Sequence, residues 1–345
     1  MDNGEPLPNW DGFIKRDVIK VLGVFFKNSI KDTVARNWEN VYQNVNGLLW
    51  LHRPRLVNIK QRVILLNTYI CSKIWYLSSI IPMPNKFVAQ FTKQIGYFLW
   101  SGVPAQRVKM IDCFRSRSKG GLGLHSPDLK SKSLLINRYL KYLNITPSLA
   151  RYIQMQRIPS DFLHLKIIKP ALESIPQNIA DDPSANSIYD HFLKQLPPVG
   201  ITTRHTRNWG QVWKNNDNKC LTSDEKSIYF LLVHGKLYHN ELLYRQERRE
   251  NPDCLHCGQT DTLKHKFAEC RIVNNLWQLA ITNINKTLQQ NNVNFEDLHY
   301  CAINCSSRVR GRVLKMFIRY VMYNLEISDN DKNLESLRSY MTMYV

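Results

Sequence analysis

The stretch NIKQRVILLNTYICSKIWYLSSI, residues 58–80, determines the fold class that the sequence predicts. Its apolar side chains recur every three or four residues, so they form one stripe along a helix. The stripe consists of Ile59, Val63, Leu66, Ile70, Ile74 and Leu77. Pro82 and Pro84 end this helix, because proline lacks a backbone N–H and its ring clashes with the preceding turn. The stretch therefore predicts a helix with one buried face.

Similar helical patterns flank this stretch and recur in the second half of the chain. They cover 36–52, 85–100, 223–250, 271–290 and 311–327. Ser223, which precedes Asp224 and Glu225, is the expected N-cap of its helix. DVIKVLGVFF, residues 17–26, is rich in β-branched and aromatic residues and predicts one short strand. We therefore predict a mainly α fold with two helical modules.

Lysine and arginine are concentrated in one part of the chain. The whole chain has 47 Lys and Arg against 28 Asp and Glu, a formal net charge of +19. Residues 51–141 contain 16 of these basic residues and two acidic ones, Asp112 and Asp128, a net +14. A solvated helix surface normally mixes both signs. The excess therefore indicates a polyanionic partner.

Nucleic acid fits this excess better than a membrane surface does. No apolar run reaches the roughly 18 residues of a spanning helix, and the polar N-terminus MDNGEPLPNWDGF does not resemble a secretory signal. We expect an intracellular protein, in the nucleus or the cytoplasm, whose eight cysteines are thiols or metal ligands. Its predicted contacts are to the phosphate backbone of RNA or DNA. The candidate residues are Lys60, Arg62, Lys73, Arg107, Lys109, Arg115, Arg117 and Lys119.

Two other features of the basic window have structural interpretations. Trp75 and Trp100 are expected in the core rather than beneath stacked bases. Gly120, Gly121 and Gly123 match neither G-x-G-x-x-G nor a Walker A loop. A turn with close backbone approach is therefore expected there, and no nucleotide site.

The stretch CLHCGQTDTLKHKFAEC, residues 254–270, has the pattern C-x2-C-x7-H-x4-C. Thiolate and imidazole are donors that zinc prefers, and three cysteines with one histidine complete a tetrahedral shell. The four ligands are Cys254, Cys257, His265 and Cys270. Because catalytic zinc keeps one position open, we predict a structural zinc ion. His256 is an alternative ligand, although its side chain is expected to point away.

Other candidate sites are weaker. Nothing in the sequence completes a second metal site with Cys301, Cys305 and His299, so buried free thiols are expected there. Asp181 and Asp182 are adjacent, as in polymerases that hold two magnesium ions, but their Pro, Ser and Asn neighbours are typical of a linker. Since no nucleophile or phosphate-loop motif is present either, we expect no catalytic residues and no enzyme.

A proline-rich polar segment, 146–205, divides the predicted chain. The predicted organisation is an N-terminal tail (1–17), a basic helical domain (18–145), a linker (146–205), a helical segment (206–250), a CCHC zinc-binding module (251–285) and a C-terminal helical tail (286–345). The charge and the metal site thus fall in different halves.

Two blocks of the sequence resemble the C-terminal part of LINE-type (non-LTR) retrotransposon reverse transcriptases. The first block resembles the thumb and the linker that follows it. Its features are IKVLGVFF (19–26), Trp38, the stretch 56–84, FLWSG (98–102) and GGLGLHSPDLKSKSL (120–134). The second block resembles the zinc-binding tail, through FLLVHGKLYHNELLYRQ (230–246), the CCHC pattern and Trp277.

The resemblance implies a thumb-like helical module and a second helical module with a small zinc knuckle, which bind RNA or DNA and contact an upstream polymerase domain. In that family the polymerase palm and the endonuclease precede the IKVLGVFF strand. We therefore expect both to be missing, and the chain to be a non-catalytic fragment. The alternative is a zinc-stapled adaptor between proteins, whose basic helices confer solubility.

Overall fold

The structure, a computed structural model, describes residues 18–101, 108–145, 170–202, 207–290, 292–327 and 329–342. The predicted tail 1–17, the phosphate candidate Arg107 and the linker residues 146–169 lie outside the described residues. Helices account for 63% and strands for 4% of the structure, which confirms the predicted mainly α fold.

A β-hairpin stands where one strand was predicted. β1 (Val18–Val21) pairs antiparallel with β2 (Val24–Lys27). Leu22 and Gly23 turn the chain with φ values of 48° and 84°. A tight two-residue turn with positive φ at both positions matches the twist of the flanking strands, and glycine adopts positive φ without strain. The glycine inside the apolar run was the signal for two strands.

Side chains of α1 (Ile30–His52) cover the outer edge of β2. Asn37 Oδ1 accepts from the Phe25 N–H at 2.9 Å, and Asn37 Nδ2 donates to the Phe25 carbonyl at 2.6 Å. Thr33 Oγ1 accepts from the Lys27 N–H at 2.8 Å and donates to the Lys27 carbonyl at 3.3 Å. These two side chains replace a third strand and fix the hairpin to α1.

The stretch 58–80 forms a helical rod with an internal π-helical turn. It consists of α2 (Ile59–Leu65), a π-helical turn (Leu66–Ile70) and α3 (Ser72–Ser78). Asn58 and Gln61 cap its start in a reciprocal capping box. The predicted apolar stripe is buried from Val63 to Leu77, which confirms the buried face.

Trp38 of α1 lies at the centre of the first half. It is fully buried, and its ring contacts Phe87 and Phe91 of α4 (Asn85–Leu99) at centroid distances of 6.3 and 6.2 Å. Trp38 Nε1 donates to the Pro82 carbonyl at 2.9 Å. The indole therefore joins α1, α4 and the turn that ends the rod.

Part of the predicted linker is folded. After α5 (Met110–Cys113), a 3-10 turn (Arg117–Lys119) and α6 (Pro127–Ile145) come α7 (Gln177–Asp181) and α8 (Ala185–Gln195). Ile188 and Phe192 of α8 pack against Leu135, Ile136 and Leu140 of α6 in a small hydrophobic cluster. Residues 185–195 thus pack on the basic half instead of only spacing it from the second half.

The second half is also helical. It contains α9 (Trp209–Asn215), α10 (Ser223–Val233), α11 (Asn240–Arg245), a π-helical turn (His265–Glu269), α12 (Asn274–Leu288), α13 (Phe295–Tyr300), α14 (Ser307–Glu326) and α15 (Leu334–Thr342). The N-cap of α10 is Thr222, so the prediction of Ser223 was wrong by one residue. Thr222 Oγ1 accepts from the Glu225 N–H at 3.2 Å, and the Glu225 carboxylate accepts from the Thr222 N–H at 2.7 Å.

One hydrophobic core continues from the first half into the second. α2 packs against α10. Beside this contact, Lys60 Nζ donates to the Asn216 carbonyl at 2.8 Å and lies 3.3 Å from the Asp217 carboxylate. In the described part of the chain, the two predicted helical modules therefore share a core.

None of the helices in the described ranges combines the length and the apolar character that crossing a membrane requires.

Glu225 and Arg319 form a buried ion pair between α10 and α14. Their side chains are 4% and 6% exposed, and Arg319 Nε lies 2.9 Å from Glu225 Oε1. Arg319 also donates to the Met341 carbonyl at 3.3 Å, which joins α15 to the pair. Three helices of the second half therefore meet at one guanidinium.

We predict that Glu225→Gln lowers the free energy of unfolding by about 3 kcal/mol, because it removes the carboxylate that pairs with the buried Arg319 guanidinium. Glutamine keeps the size of the side chain and one acceptor oxygen, but it cannot accept from both the Thr222 N–H and Arg319 Nε. The loss therefore combines the missing charge with a missing hydrogen bond. Urea unfolding followed by circular dichroism measures it. Asp128→Asn is the control: its pair with Lys132 is partly exposed, and the expected loss is below about 1 kcal/mol. Equal losses in both variants would contradict the assignment.

Candidate metal centre and basic surface

Cys254, Cys257, His265 and Cys270 converge on one point. Their ligand atoms all lie within 4.8 Å of one another. Cys254 Sγ is 3.7 Å from Cys270 Sγ, and Cys257 Sγ is 3.3 Å from His265 Nε2. The cysteines are free thiols and not disulfide partners. The predicted ligand set is therefore assembled in space.

The separation of one sulfur pair matches a tetrahedral zinc site. Two sulfurs that each lie about 2.3 Å from zinc at the tetrahedral angle are about 3.8 Å apart. The 3.7 Å between Cys254 and Cys270 is close to this value. Three sulfurs and one imidazole nitrogen fill a tetrahedral shell and leave no position for a reacting water. The four residues can thus hold a metal ion in a closed site.

A tight turn brings Cys254 and Cys257 together. The Cys254 N–H donates to the Gln259 carbonyl at 2.7 Å, and the Gly258 N–H donates to the Cys254 carbonyl at 2.9 Å. Gly258 has φ 72°, a conformation that favours glycine. A β-bridge between Asp253 and Thr260 closes the turn. We call residues 253–260 the knuckle.

The π-helical turn His265–Glu269 positions the other two ligands. The Cys270 N–H donates to the His265 carbonyl at 2.9 Å, across the π turn. Within this turn Phe267 is fully buried, and its carbonyl accepts from the Tyr320 hydroxyl at 2.6 Å. His265 and Cys270 are therefore anchored to the core through α14, while the knuckle supplies the other pair.

α11 supports the knuckle through contacts that sequence reasoning missed. The buried Asp261 accepts from the Asn240 N–H at 2.8 Å, and Asn240 Nδ2 donates to the Asp253 carbonyl at 2.7 Å. Arg249 in turn donates to Asn240 Oδ1 at 2.8 Å. The sequence shows only that an aspartate, Asp261, lies between the ligands. Its partner Asn240 is 21 residues away in the chain, so local spacing does not reveal the contact.

The cluster favours a cation. Burial raises the pKa of the Cys270 thiol to about 11, and the neighbouring Cys254 and Cys257 add to the rise. Three thiolates at these separations repel one another unless a positive ion lies between them. Because metal ligands must be deprotonated, metal binding at this site would release protons.

The alternative ligands lie elsewhere. His256 Nε2 is 2.6 Å from Asp329 Oδ2, so its ring faces away from the cluster as predicted. Cys301 is fully buried, and burial raises its pKa to about 12. Among the described residues, neither Cys301 nor Cys305 joins a metal-binding group.

Three of the predicted phosphate-binding residues are buried. Lys60, Arg62 and Arg115 are 6%, 6% and 7% exposed. Arg62 Nε and Nη1 donate to two backbone carbonyls at 3.0 and 2.8 Å, and Arg115 lies 3.6 Å from Asp112. Their burial argues against phosphate contact at these positions, because the charged groups face partners inside the protein and not the solvent.

The remaining described candidates lie at the surface. Lys73, Lys109 and Lys119 are exposed, and Arg117 is partly exposed at 3.6 Å from Asp217. Further exposed cations without an acidic partner among the described residues are Arg53, Arg55, Lys86 and Lys93. Residues 40–111 contain no Asp or Glu. This part of the surface is therefore strongly cationic, and we call it the basic surface.

The glycine cluster forms a turn, as predicted. Gly120 has φ 83°, and a Cβ there would lie 2.8 Å from the Trp213 ring. A Cβ on Gly121 would lie 2.1 Å from the Arg115 carbonyl oxygen. Trp100 is buried in the core and Trp75 is partly buried, in agreement with their predicted structural roles.

The adjacent aspartates lie at the end of a helix. Asp181 ends α7 and accepts from Gln177 at 2.8 Å, and Asp182 follows it. Both are exposed, and neither belongs to a metal-binding group among the described residues. No hairpin of apolar strands holds them, since α7 precedes them and α8 follows.

No protein-family model and no curated protein matches this chain. The chemistry of the site therefore follows from its own donor atoms. Three soft sulfurs and a borderline nitrogen favour zinc over hard cations such as magnesium, which prefer oxygen.

We predict that the purified chain binds a single zinc ion and that Cys270→Ser loses it, because removing one of four ligands opens the shell. Elemental analysis after dialysis measures the zinc per chain. Cys220→Ser is the control, since Cys220 is exposed and outside the cluster. Equal zinc content in the two variants would contradict the ligand assignment.

Proposed function

We propose that this chain is a zinc-containing nucleic-acid-binding protein related to the thumb, linker and zinc-binding tail of non-LTR retrotransposon reverse transcriptases. Its basic surface contacts the phosphate backbone of RNA or DNA. Its Cys3His cluster holds a structural zinc ion. The observation that carries the proposal is the cationic surface of residues 40–111, which has no Asp or Glu of its own.

The arrangement of charge supports binding to a polyanion. The acidic residues of the window 51–141 are already paired: Asp112 lies 3.6 Å from Arg115, and Asp128 lies 2.9 Å from Lys132. The exposed Arg53, Arg55, Lys86 and Lys93 have no acidic partner among the described residues. Such a surface attracts phosphates and releases their counterions on binding.

The metal site supports a scaffold role within this function. A closed Cys3His shell cannot activate water or polarise a substrate, because it has no open position. It can instead order the knuckle and the first turn of α12, which starts at Asn274 just after Cys270. Zinc knuckles in other proteins present contacts to single-stranded nucleic acid in this way.

The order of the two sequence blocks supports the family relationship. The hairpin, the rod and the glycine turn come first, and the helix before the CCHC pattern comes second. A contact with an upstream polymerase domain is part of the same proposal. We propose no catalytic activity for the described residues, in which the adjacent aspartates are exposed at a helix end.

We predict that affinity for an oligonucleotide falls steeply with added salt. Each neutralised phosphate releases counterions, so Lys73→Ala and Lys109→Ala should each reduce the log–log salt slope by about one. Fluorescence anisotropy over a salt series measures the slope. Lys194→Ala is the control, because Lys194 is exposed but lies on α8, outside the basic surface. Affinity that does not depend on salt would reject the proposal.

An adaptor between proteins is the second candidate, and one observation favours it. The hairpin exposes several large apolar side chains, with Ile19, Val21 and Leu22 at 55%, 50% and 85%. Exposed apolar patches mark docking sites for other proteins. Retention on heparin separates the two functions: an adaptor that uses its charge only for solubility elutes at low salt.

A further inference from the structure

Trp50 is the most exposed tryptophan that the structure describes. It lies near the C-terminal end of α1 and is 75% exposed, whereas Trp38, Trp100 and Trp213 are 5% exposed or less. The nearby Leu49 and His52 belong to the buried face of α1, whereas Trp50 does not. The fold therefore gains little from an indole at position 50.

Tyr69 is a second exposed ring close to the same end of α1. It lies on the π-helical turn of the rod and is 46% exposed. The ring of the buried His52 contacts it edge to face, with centroids 5.5 Å apart and planes at 88°. His52 follows Trp50 by two residues, so their side chains leave α1 on nearly opposite sides. Tyr69 therefore lies on the side of His52 and not beside the Trp50 ring.

Two arginines, Arg53 and Arg55, follow Trp50 within five residues of the chain. Arg53 and Arg55 are both exposed, and neither forms an ion pair with another described residue. The Arg53 N–H donates to the Trp50 carbonyl at 3.3 Å, and the Arg55 N–H donates to the His52 carbonyl at 3.3 Å. The Arg53 guanidinium lies over the Tyr97 ring, 4.6 Å from its centroid. This contact restricts the positions that the guanidinium group can adopt.

An exposed indole beside arginines that have no acidic partner among the described residues matches the chemistry of single-stranded nucleic acid. Bases stack on aromatic faces whatever their sequence, and arginines hold the backbone between them. A duplex cannot use such rings, because its bases are already stacked. A protein partner is less well matched, since residues 40–111 offer it many cations and no carboxylate.

We propose that Trp50 forms a stacking platform for an unpaired base, with Arg53 and Arg55 on the adjoining phosphates. This inference rests on the proposed nucleic-acid binding and assigns it a ligand class: a single strand of RNA or DNA, held at the end of α1 without sequence preference. The exposed Leu51 and Leu56, at 61% and 103%, lie close to Trp50 in the chain and add apolar surface there.

The test compares two fluorescein-labelled probes with the full chain. One is an oligothymidylate of roughly 12 nucleotides, a typical single-strand site size. The other has the same backbone with abasic positions. Trp50→Ala should weaken binding of the oligothymidylate between about fivefold and about a hundredfold, as loss of a stacked base does elsewhere. Binding of the abasic strand, which offers phosphates only, should stay unchanged.

Two further variants keep the result interpretable. Trp50→Phe keeps a flat ring and should recover part of the lost affinity. Tyr244→Ala removes an exposed tyrosine, 48% exposed, from α11, and should leave both probes unaffected. Thermal unfolding checks that each variant is folded.

The outcomes separate this inference from the proposed function. If Trp50→Ala leaves oligothymidylate binding unchanged, or weakens both probes equally, the platform is rejected while nucleic-acid binding stands. An unchanged affinity would point instead to protein docking at the exposed apolar residues. If the unmodified chain binds neither probe at low salt, the proposed function itself is rejected.

Discussion

The contact of the Lys60 ammonium group with the Asn216 carbonyl lies where the two halves of the chain meet, beside the packing of α2 on α10 that continues the core. Burial lowers the pKa of this lysine to about 8, although the nearby Asp217 carboxylate opposes the shift. The group therefore remains charged at neutral pH, and it needs the Asn216 carbonyl and Asp217 as acceptors. Asp217 also lies 3.6 Å from Arg117, so one carboxylate serves two cations. This contact fixes the turn after α9 against α2.

The glycine turn completes the same junction. Gly120 leaves room for the Trp213 ring of α9, and its carbonyl lies 2.9 Å from the His234 ring nitrogen at the end of α10. A side chain at position 120 would collide with the indole. Arg115 is buried beside this turn. Its backbone carbonyl lies so close to Gly121 that a side chain at position 121 would collide with it.

How far the sequence predicts this molecule depends on the range of the interactions. Helices follow from periodicity, and the metal ligands from local spacing, because 17 residues hold all four. Gly258, directly after the second ligand, favours the turn. Buried cations are harder to foresee. The partners of Lys60 lie more than 150 residues away in the chain, so a charge count could not separate it from Lys73 on the same rod. Trp50 was missed for a related reason: its segment is helical, and the pattern does not show that its face lacks a neighbour.

The sealed edge of the hairpin has a consequence for self-association. Asn37 and Thr33 already occupy the hydrogen-bonding groups of Phe25 and Lys27, so no strand can add beside β2. A sheet grows into a fibre only when both of its edges accept strands. Pairing through β1 of two copies would bury the remaining edges against each other and end there. The hairpin can therefore form a closed pair at most, however concentrated the protein becomes.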